Sequence, residues 1–262
     1  MKRSVQHIAL ILLALAAISC EDIITLNLDE ATPRIVIEAN YDISNEDLSV
    51  LISQSNSFYE AAGPQMITGA VVTAGSKYYD SSFPLSEVSP GKYKLFLPHQ
   101  QADTITLTVT INGKSYMATS VVPVYVKLME VRSEIRDLPF GQGKTVSLTA
   151  SWDDPPGSEN YYRVQFIRND TIIKEPIVIV RDKYLDGLNL SVPVPARFSQ
   201  GDSARITLMT VDRNYYNYFT ELTGAGGGGF STATPFNPVG NFGKEVLGYF
   251  GIYYKTEVGL RL

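Results

Sequence analysis

The sequence predicts an all-β fold of two β-sandwich domains with one short helix near the C-terminus. Three observations carry that reading. The 262 residues include 20 Gly, 14 Pro and 16 Tyr, and few long stretches have helical spacing, which favours strands and turns. Thr104 to Ile111 alternates strictly, with Ile105, Leu107, Val109 and Ile111 on one face and threonines on the other, and Asn112-Gly113 behind it is a type I′ hairpin signal. Asp153-Asp154-Pro155-Pro156-Gly157 is neither strand nor helix, because its prolines fix φ and lack a donor. Apolar residues make up 44%, enough for a substantial core, and the length suits two small β-domains about as well as one large one.

The elements follow in order. Arg34 to Ala39, Leu48 to Ser53, Ala70 to Ala74 and Tyr93 to Leu97 read as strands, the last introduced by the turn Ser89-Pro90-Gly91. Thr104 to Ile111 and its partner Ser115 to Val122 complete a first sandwich over 33–124, of immunoglobulin-like or transthyretin-like build. Pro123 marks a boundary. A second domain, 125–262, carries strands at Val126 to Glu134, Thr145 to Trp152, Tyr161 to Arg168, Thr171 to Val180 and Ser203 to Val211. A strand with a core tryptophan, a Pro-Gly loop and a Tyr-rich strand resemble a fibronectin type III-like sandwich, by analogy of fold alone. Leu208, Val211, Tyr215, Tyr218 and Leu222 share one helical face, which places a helix at about 212–223 with Asp212 as N-cap and Gly224 at its end. Gly226 to Gly229 reads as a loop, and Val246 to Leu262 as a tyrosine-rich hairpin.

The N-terminus reads as an address. Lys2 and Arg3 precede an apolar run of 11 residues, Ile8 to Ile18, too short to span a bilayer at ~20 residues and suited to a signal peptide. Ala17-Ile18-Ser19-Cys20 then resembles the lipobox of bacterial lipoproteins. Residues 1–19 are expected to be removed, Cys20 to be lipidated with palmitate-type acyl chains, and 20–32 to form a tether. Each buried methylene contributes about 0.8 kcal/mol, so two or three chains hold firmly where one does not. A secretory signal with a chance cysteine is the plainer alternative. Against it, Cys20 is the only cysteine, and a lone free thiol in an oxidising compartment has no internal partner. Losing Lys2 and Arg3 leaves 20 basic against 27 acidic residues, moving the net charge from −5 to −7. Such a surface repels phosphate backbones and argues against nucleic-acid binding.

Several stretches together resemble a known family. They are Pro33-Arg34-Ile35-Val36-Ile37-Glu38, the run from Trp152 to Val164, Asp182-Lys183-Tyr184-Leu185-Asp186-Gly187, the run from Asp212 to Tyr218, and the run from Thr234 to Phe250. Their order is similar to that of Bacteroidota lipoproteins containing the domain of unknown function numbered 4249. The resemblance implies an outer-membrane lipoprotein working beside a TonB-dependent transporter, and it supplies no catalytic residues. Glu21-Asp22 also resemble acidic export signals that send such lipoproteins to the cell surface; two acids in a solvated tether are the plain alternative.

Catalytic chemistry finds little support. His99 is the one histidine left after cleavage, and no Gly-x-Ser-x-Gly elbow is present; an exposed turn histidine is the simpler reading. One histidine and no free thiol cannot build a zinc site. An oxygen-only calcium site needs clustered carboxylates, for which Asp153-Asp154 and Asp182 with Asp186 are the candidates, although loop capping explains them more simply. The glycines at 226–229 are followed by no Gly-Lys-Ser/Thr and make no phosphate cradle. Tyr78-Tyr79, Tyr161-Tyr162, Tyr215-Tyr216 and Tyr253-Tyr254 each place neighbouring rings on opposite faces where they lie in strands. Tyr78, Tyr161 and Tyr253 are the candidate ligand contacts. The expectation is a non-enzymatic binding or accessory protein with no cofactor and no metal. A carboxylate-dependent glycan hydrolase, with two facing carboxylates roughly 5–9.5 Å apart, and a structural envelope scaffold are the alternatives.

Overall fold

The computed structural model describes residues 32–56, 63–138, 140, 143–225 and 236–262. Cys20, Glu21, Asp22 and Gly226 to Gly229 lie outside the described residues. The first sandwich uses β1 (Ile35–Asp42), β2 (Asp47–Gln54), β3 (Gln65–Met66), β4 (Val71–Ser76), β5 (Ser81–Pro84), β6 (Ser86–Ser89), β7 (Lys92–Phe96), β8 (Thr104–Ile111) and β9 (Lys114–Val121). The second uses β10 (Glu130–Asp137), β11 (Lys144–Asp153), β12 (Tyr161–Arg168), β13 (Thr171–Arg181), β14 (Asn189–Pro193) and β15 (Ser203–Val211). Helix α1 (Arg213–Ala225) and β16 (Leu247–Arg261) follow. The fold is all-β and sandwich-like, with this one α-helix among the described residues.

Alternation along each strand builds the cores. In β8, Ile105, Leu107 and Val109 are fully buried while the threonines between them are half-exposed. The β8–β9 turn has Asn112 at φ 48° and Gly113 at φ 79°, the left-handed backbone that a type I′ turn requires. The second core centres on Trp152, fully buried against Tyr162 with ring centroids 5.1 Å apart.

One long sheet joins the two sandwiches, in the order β13-β12-β15-β16-β1-β2-β7-β6, with β3 on β2. Smaller sheets, β5-β4-β8-β9 and β10-β11-β14, close the two cores. The expected hairpin over Val246 to Leu262 is instead one strand of 15 residues. Its Leu247–Tyr253 half runs parallel to β1, and its Tyr253–Arg261 half runs antiparallel to β15. No Asn-Gly or Pro-Gly pair interrupts it, and each half finds its own neighbour, so nothing turns the chain back. Two glycines permit this path. Gly251 lies under a Tyr215 ring, where an added Cβ would sit 2.5 Å from Cδ2. Gly248, at φ 95°, lies against the Ile37 carbonyl.

Residues 125–262 therefore do not form a self-contained domain, which corrects the expected division. Val126, Leu128 and the strands from β11 to β15 line the second core. Phe242, Val246, Phe250 and Ile252 return to the first. The expected strand at Val126 to Glu134 also shifts, to Glu130–Asp137. Val126 and Leu128 lie before it, tied to β16 by the Thr256 hydroxyl, which accepts from the Leu128 N–H at 2.8 Å.

Side chains take the place of strands where β16 changes neighbours. On the β15 side, the Asn241 amide exchanges two hydrogen bonds with the backbone of Phe250. On the β1 side, the Ser44 hydroxyl accepts from the Lys255 N–H at 2.8 Å and donates to its carbonyl at 3.1 Å. The buried backbone groups of Phe250 need such a partner.

Candidate functional site

The loops joining β11 to β12 and β13 to β14 bring Asp154, Asp182 and Asp186 together. One carboxylate oxygen from each lies within 4.8 Å of the others. Asp154 and Asp182 are buried and Asp186 is exposed. The prolines and Gly157 make the first loop turn sharply, and Gly187 at φ 73° turns the second against Pro156. Asp153, which the sequence places beside Asp154, faces solvent and accepts from the Asn189 amide at 2.8 Å.

Each of the three carboxylates holds the opposite loop. Asp154 accepts from the Gly187 N–H at 2.9 Å and from the Tyr162 hydroxyl. Asp182 accepts from the Asn160 N–H at 2.9 Å, and Asp186 from the Gly157 N–H at 2.9 Å. The Asn160 amide completes the clasp through the Pro155 and Ser158 carbonyls, at 3.2 and 3.0 Å. Burial, followed by the neighbouring Asp154 charge, raises the Asp182 carboxyl above its ordinary range, and burial likewise raises the Tyr162 phenol. Oxygens so placed could take a hard cation such as calcium. The donors from the two loops already account for the arrangement.

A second polar group lies next to this clasp. The Glu159 carboxylate bonds Tyr161 Oη at 2.5 Å and the Arg213 guanidinium at 2.7 Å, and it pairs with Arg181 at 3.3 Å. The Tyr161 hydroxyl and the Arg213 guanidinium hold Glu159 below the usual carboxylate range. Arg213 also donates to Tyr161 Oη at 2.7 Å.

Tyr161, a candidate ligand contact, is buried at 6% exposed. Tyr162 does face the sandwich core, as strand alternation requires. The outer face of the sheet is itself covered by α1, and Tyr161 packs against Tyr216 of that helix at 4.8 Å. Tyr253 is half-buried in the same aromatic cluster, 5.9 Å from the Tyr215 ring. Arg163 enters this cluster from β12, 4.3 Å from the Phe219 ring, and donates to the Tyr215 hydroxyl. Tyr78 stands apart, 62% exposed at the turn after β4 and edge-on to Tyr79. His99 is not an exposed turn residue: it is half-buried, with Nδ1 3.4 Å from Glu46 and its ring edge-on to Tyr254. Arg163, Glu159 and Asn241 carry no motif by which the sequence alone marks them.

A family model described as a domain of unknown function, DUF4249, matches residues 21–258. The chain belongs to the DUF4249 family. No curated protein matches this DUF4249 chain. Among solved structures, a two-domain fibronectin type III segment of chicken tenascin is similar to it at 15% identity, with a TM-score of 0.23, covering 69% of this chain and 91% of the tenascin segment.

Proposed function

We propose that this DUF4249 chain is a lipid-anchored, non-enzymatic binding or accessory protein of the bacterial outer membrane, working beside a TonB-dependent transporter. The observation that carries the reading is Cys20, the chain's only cysteine, placed directly after the apolar run Ile8 to Ile18. Acylation there removes the one thiol from the mature chain's chemistry and anchors it. Asp154, Asp182 and Asp186 hold loops, Glu159 is bonded to Tyr161 and Arg213, and His99 packs beside Glu46. Membrane fractionation of Cys20→Ala tests the anchor: release, or retention of the uncleaved precursor, is expected. Unchanged membrane retention with normal cleavage defeats it. Pull-down of the wild type from its native membrane tests the partner. A TonB-dependent transporter is the expected catch, and failure to recover one under conditions that keep known complexes intact counts against that role.

A further inference from the structure

Strand β10 (Glu130–Asp137) ends the sheet order β10-β11-β14. Each of its residues except Val131 is exposed, and among the described residues no strand pairs with its outer edge. Its pairing with β11 is continuous from Glu130↔Ser151 to Asp137↔Lys144. The Leu138 N–H carries it one step further, donating to the Gly143 carbonyl at 2.8 Å. Hydrogen-bonded positions alternate along an antiparallel pair. Counting back from Leu138, the residues Arg136, Glu134, Arg132 and Glu130 turn their backbone groups to β11, and Ile135, Ser133 and Val131 turn theirs to solvent. The Val194 N–H, which donates to the Leu148 carbonyl at 2.8 Å, fixes the same phase from the far side of β11.

The side chains of β10 alternate as well. Glu130, Arg132 and Glu134 line the outer face of the sheet beside Thr149 and Ser151. The ion pairs Glu130–Arg132 and Glu134–Arg136, at 3.3 and 2.8 Å, run along this outer row. On the other face Val131 packs against the second core, and Ile135 is left 52% exposed. Such an edge accepts a further strand unless a proline, a bulge or an inward-pointing charge guards it. The long edge strand β13 is guarded, by Pro176 and by a register shift opposite Val164 and Phe166. β10 has no proline and no register shift, and on its inner face the one charge, Asp137, comes at the end of the strand.

We propose that β10 pairs antiparallel with β10 of a second copy of this chain, about a two-fold axis through Ser133. The run Glu-Val-Arg-Ser-Glu-Ile-Arg from Glu130 to Arg136 is complementary to its own reverse. Glu130 then faces Arg136 of the second copy, Arg132 faces Glu134, and Val131 faces Ile135. The residues with outward backbone groups, Val131, Ser133 and Ile135, fall in the hydrogen-bonded pairs of the new ladder, about two bonds to each pair. A slip of two residues either way sets Glu against Glu and Arg against Arg, and a slip of one puts the backbone groups out of phase. Exposed ion pairs contribute little one by one; their order selects this register. Ile135, exposed in the single chain, gains Val131 of the second copy as its neighbour.

Sedimentation equilibrium of the whole purified chain in a density-matched detergent tests the pairing. Wild type should associate reversibly to a dimer. Arg132→Glu sets a like-charge pair on each side of the axis and should weaken the dimer about tenfold or more. Adding Glu134→Arg to it restores both pairs and should return the dissociation constant to within a few-fold of wild type. A wild type that stays monomeric up to its solubility limit overturns the proposal. So does a dimer that Arg132→Glu leaves intact, or one that the charge swap fails to restore. If circular dichroism shows that either variant is misfolded, cross-linking with a short bismaleimide decides. Ser133→Cys, on the axis, should be captured as a dimer far more than Thr171→Cys on the exposed start of β13, and equal capture of the two overturns the proposal.

Discussion

The side chain of Asn241 pairs with the backbone of Phe250 as a neighbouring strand would. Its Oδ1 accepts from the Phe250 N–H at 2.8 Å, and its Nδ2 donates to the Phe250 carbonyl at 2.9 Å. Phe250 is fully buried, so few waters can replace those bonds. Asn241→Ala should destabilise the protein by about 1–3 kcal/mol, and Asn241→Asp, which sets a carboxylate oxygen against the Phe250 carbonyl, by at least as much. Urea unfolding with an unchanged slope checks both.

The Ser44–Lys255 pair makes the same kind of bond at an exposed position. Water can serve both backbone groups there. Ser44→Ala should cost no more than about 1 kcal/mol, and a loss equal to that of Asn241→Ala would contradict the exposure argument.

Gly251 leaves no room beside the Tyr215 ring. Gly251→Ala should cost about 1–3 kcal/mol through overpacking. In the background of Tyr215→Leu, which clears the ring, the same change should cost clearly less. Additive losses in this double-mutant cycle would show that the two sites are not coupled.

Arg163 lies over the Phe219 ring and donates to the Tyr215 hydroxyl. Arg163→Met keeps an apolar stem and removes both the cation and the donor. A loss of about 1–2 kcal/mol is expected, reduced when Phe219→Leu is already present. Thermal unfolding of the four proteins of this cycle measures it.

Burial raises the Asp182 carboxyl, with the Asp154 charge adding to it. A raised folded value means that this group's stabilising contribution is full at pH below its unfolded value and is lost as pH rises through its folded one. Wild type should therefore gain stability relative to Asp182→Asn as pH falls from neutral, as read from unfolding at several pH values. A gap that does not change with pH would remove the link to ionisation. Calcium separates a clasp from a cation site: a clasp leaves the unfolding midpoint unmoved, whereas a calcium-specific rise not matched by magnesium would show that the three oxygens hold an ion.

Much of the fold was legible along the chain because strand and turn signals are local. Period-2 alternation over Thr104 to Ile111 and the Asn112-Gly113 turn depend only on neighbouring residues, and the structure places β8, β9 and the left-handed turn there. The helix expected at 212–223 spans Arg213–Ala225, with Asp212 accepting from the N–H groups of Asn214 and Tyr215 as its cap. The small strands β3, β5, β6 and β14 escaped notice, because they are short and, unlike the similarly short β7 behind its Ser-Pro-Gly turn, no Pro-Gly pair introduces them.

By itself the sequence determined the β class, the alternating core faces, the capped helix and the sharp Pro-Pro-Gly loop, since each rests on periodicity or φ preference within a few residues. Tertiary structure alone decided the rest. Periodicity says which face of a strand is apolar but not which strand lies beside it, so the switch of β16 from β1 to β15 at Tyr253 has no local sign. It does not say what covers an outer face, so the burial of Tyr161 under α1 was out of reach. Nor does it bring together Asp154 and Asp182, 28 positions apart, which meet only because two loops close the same end of the second sandwich.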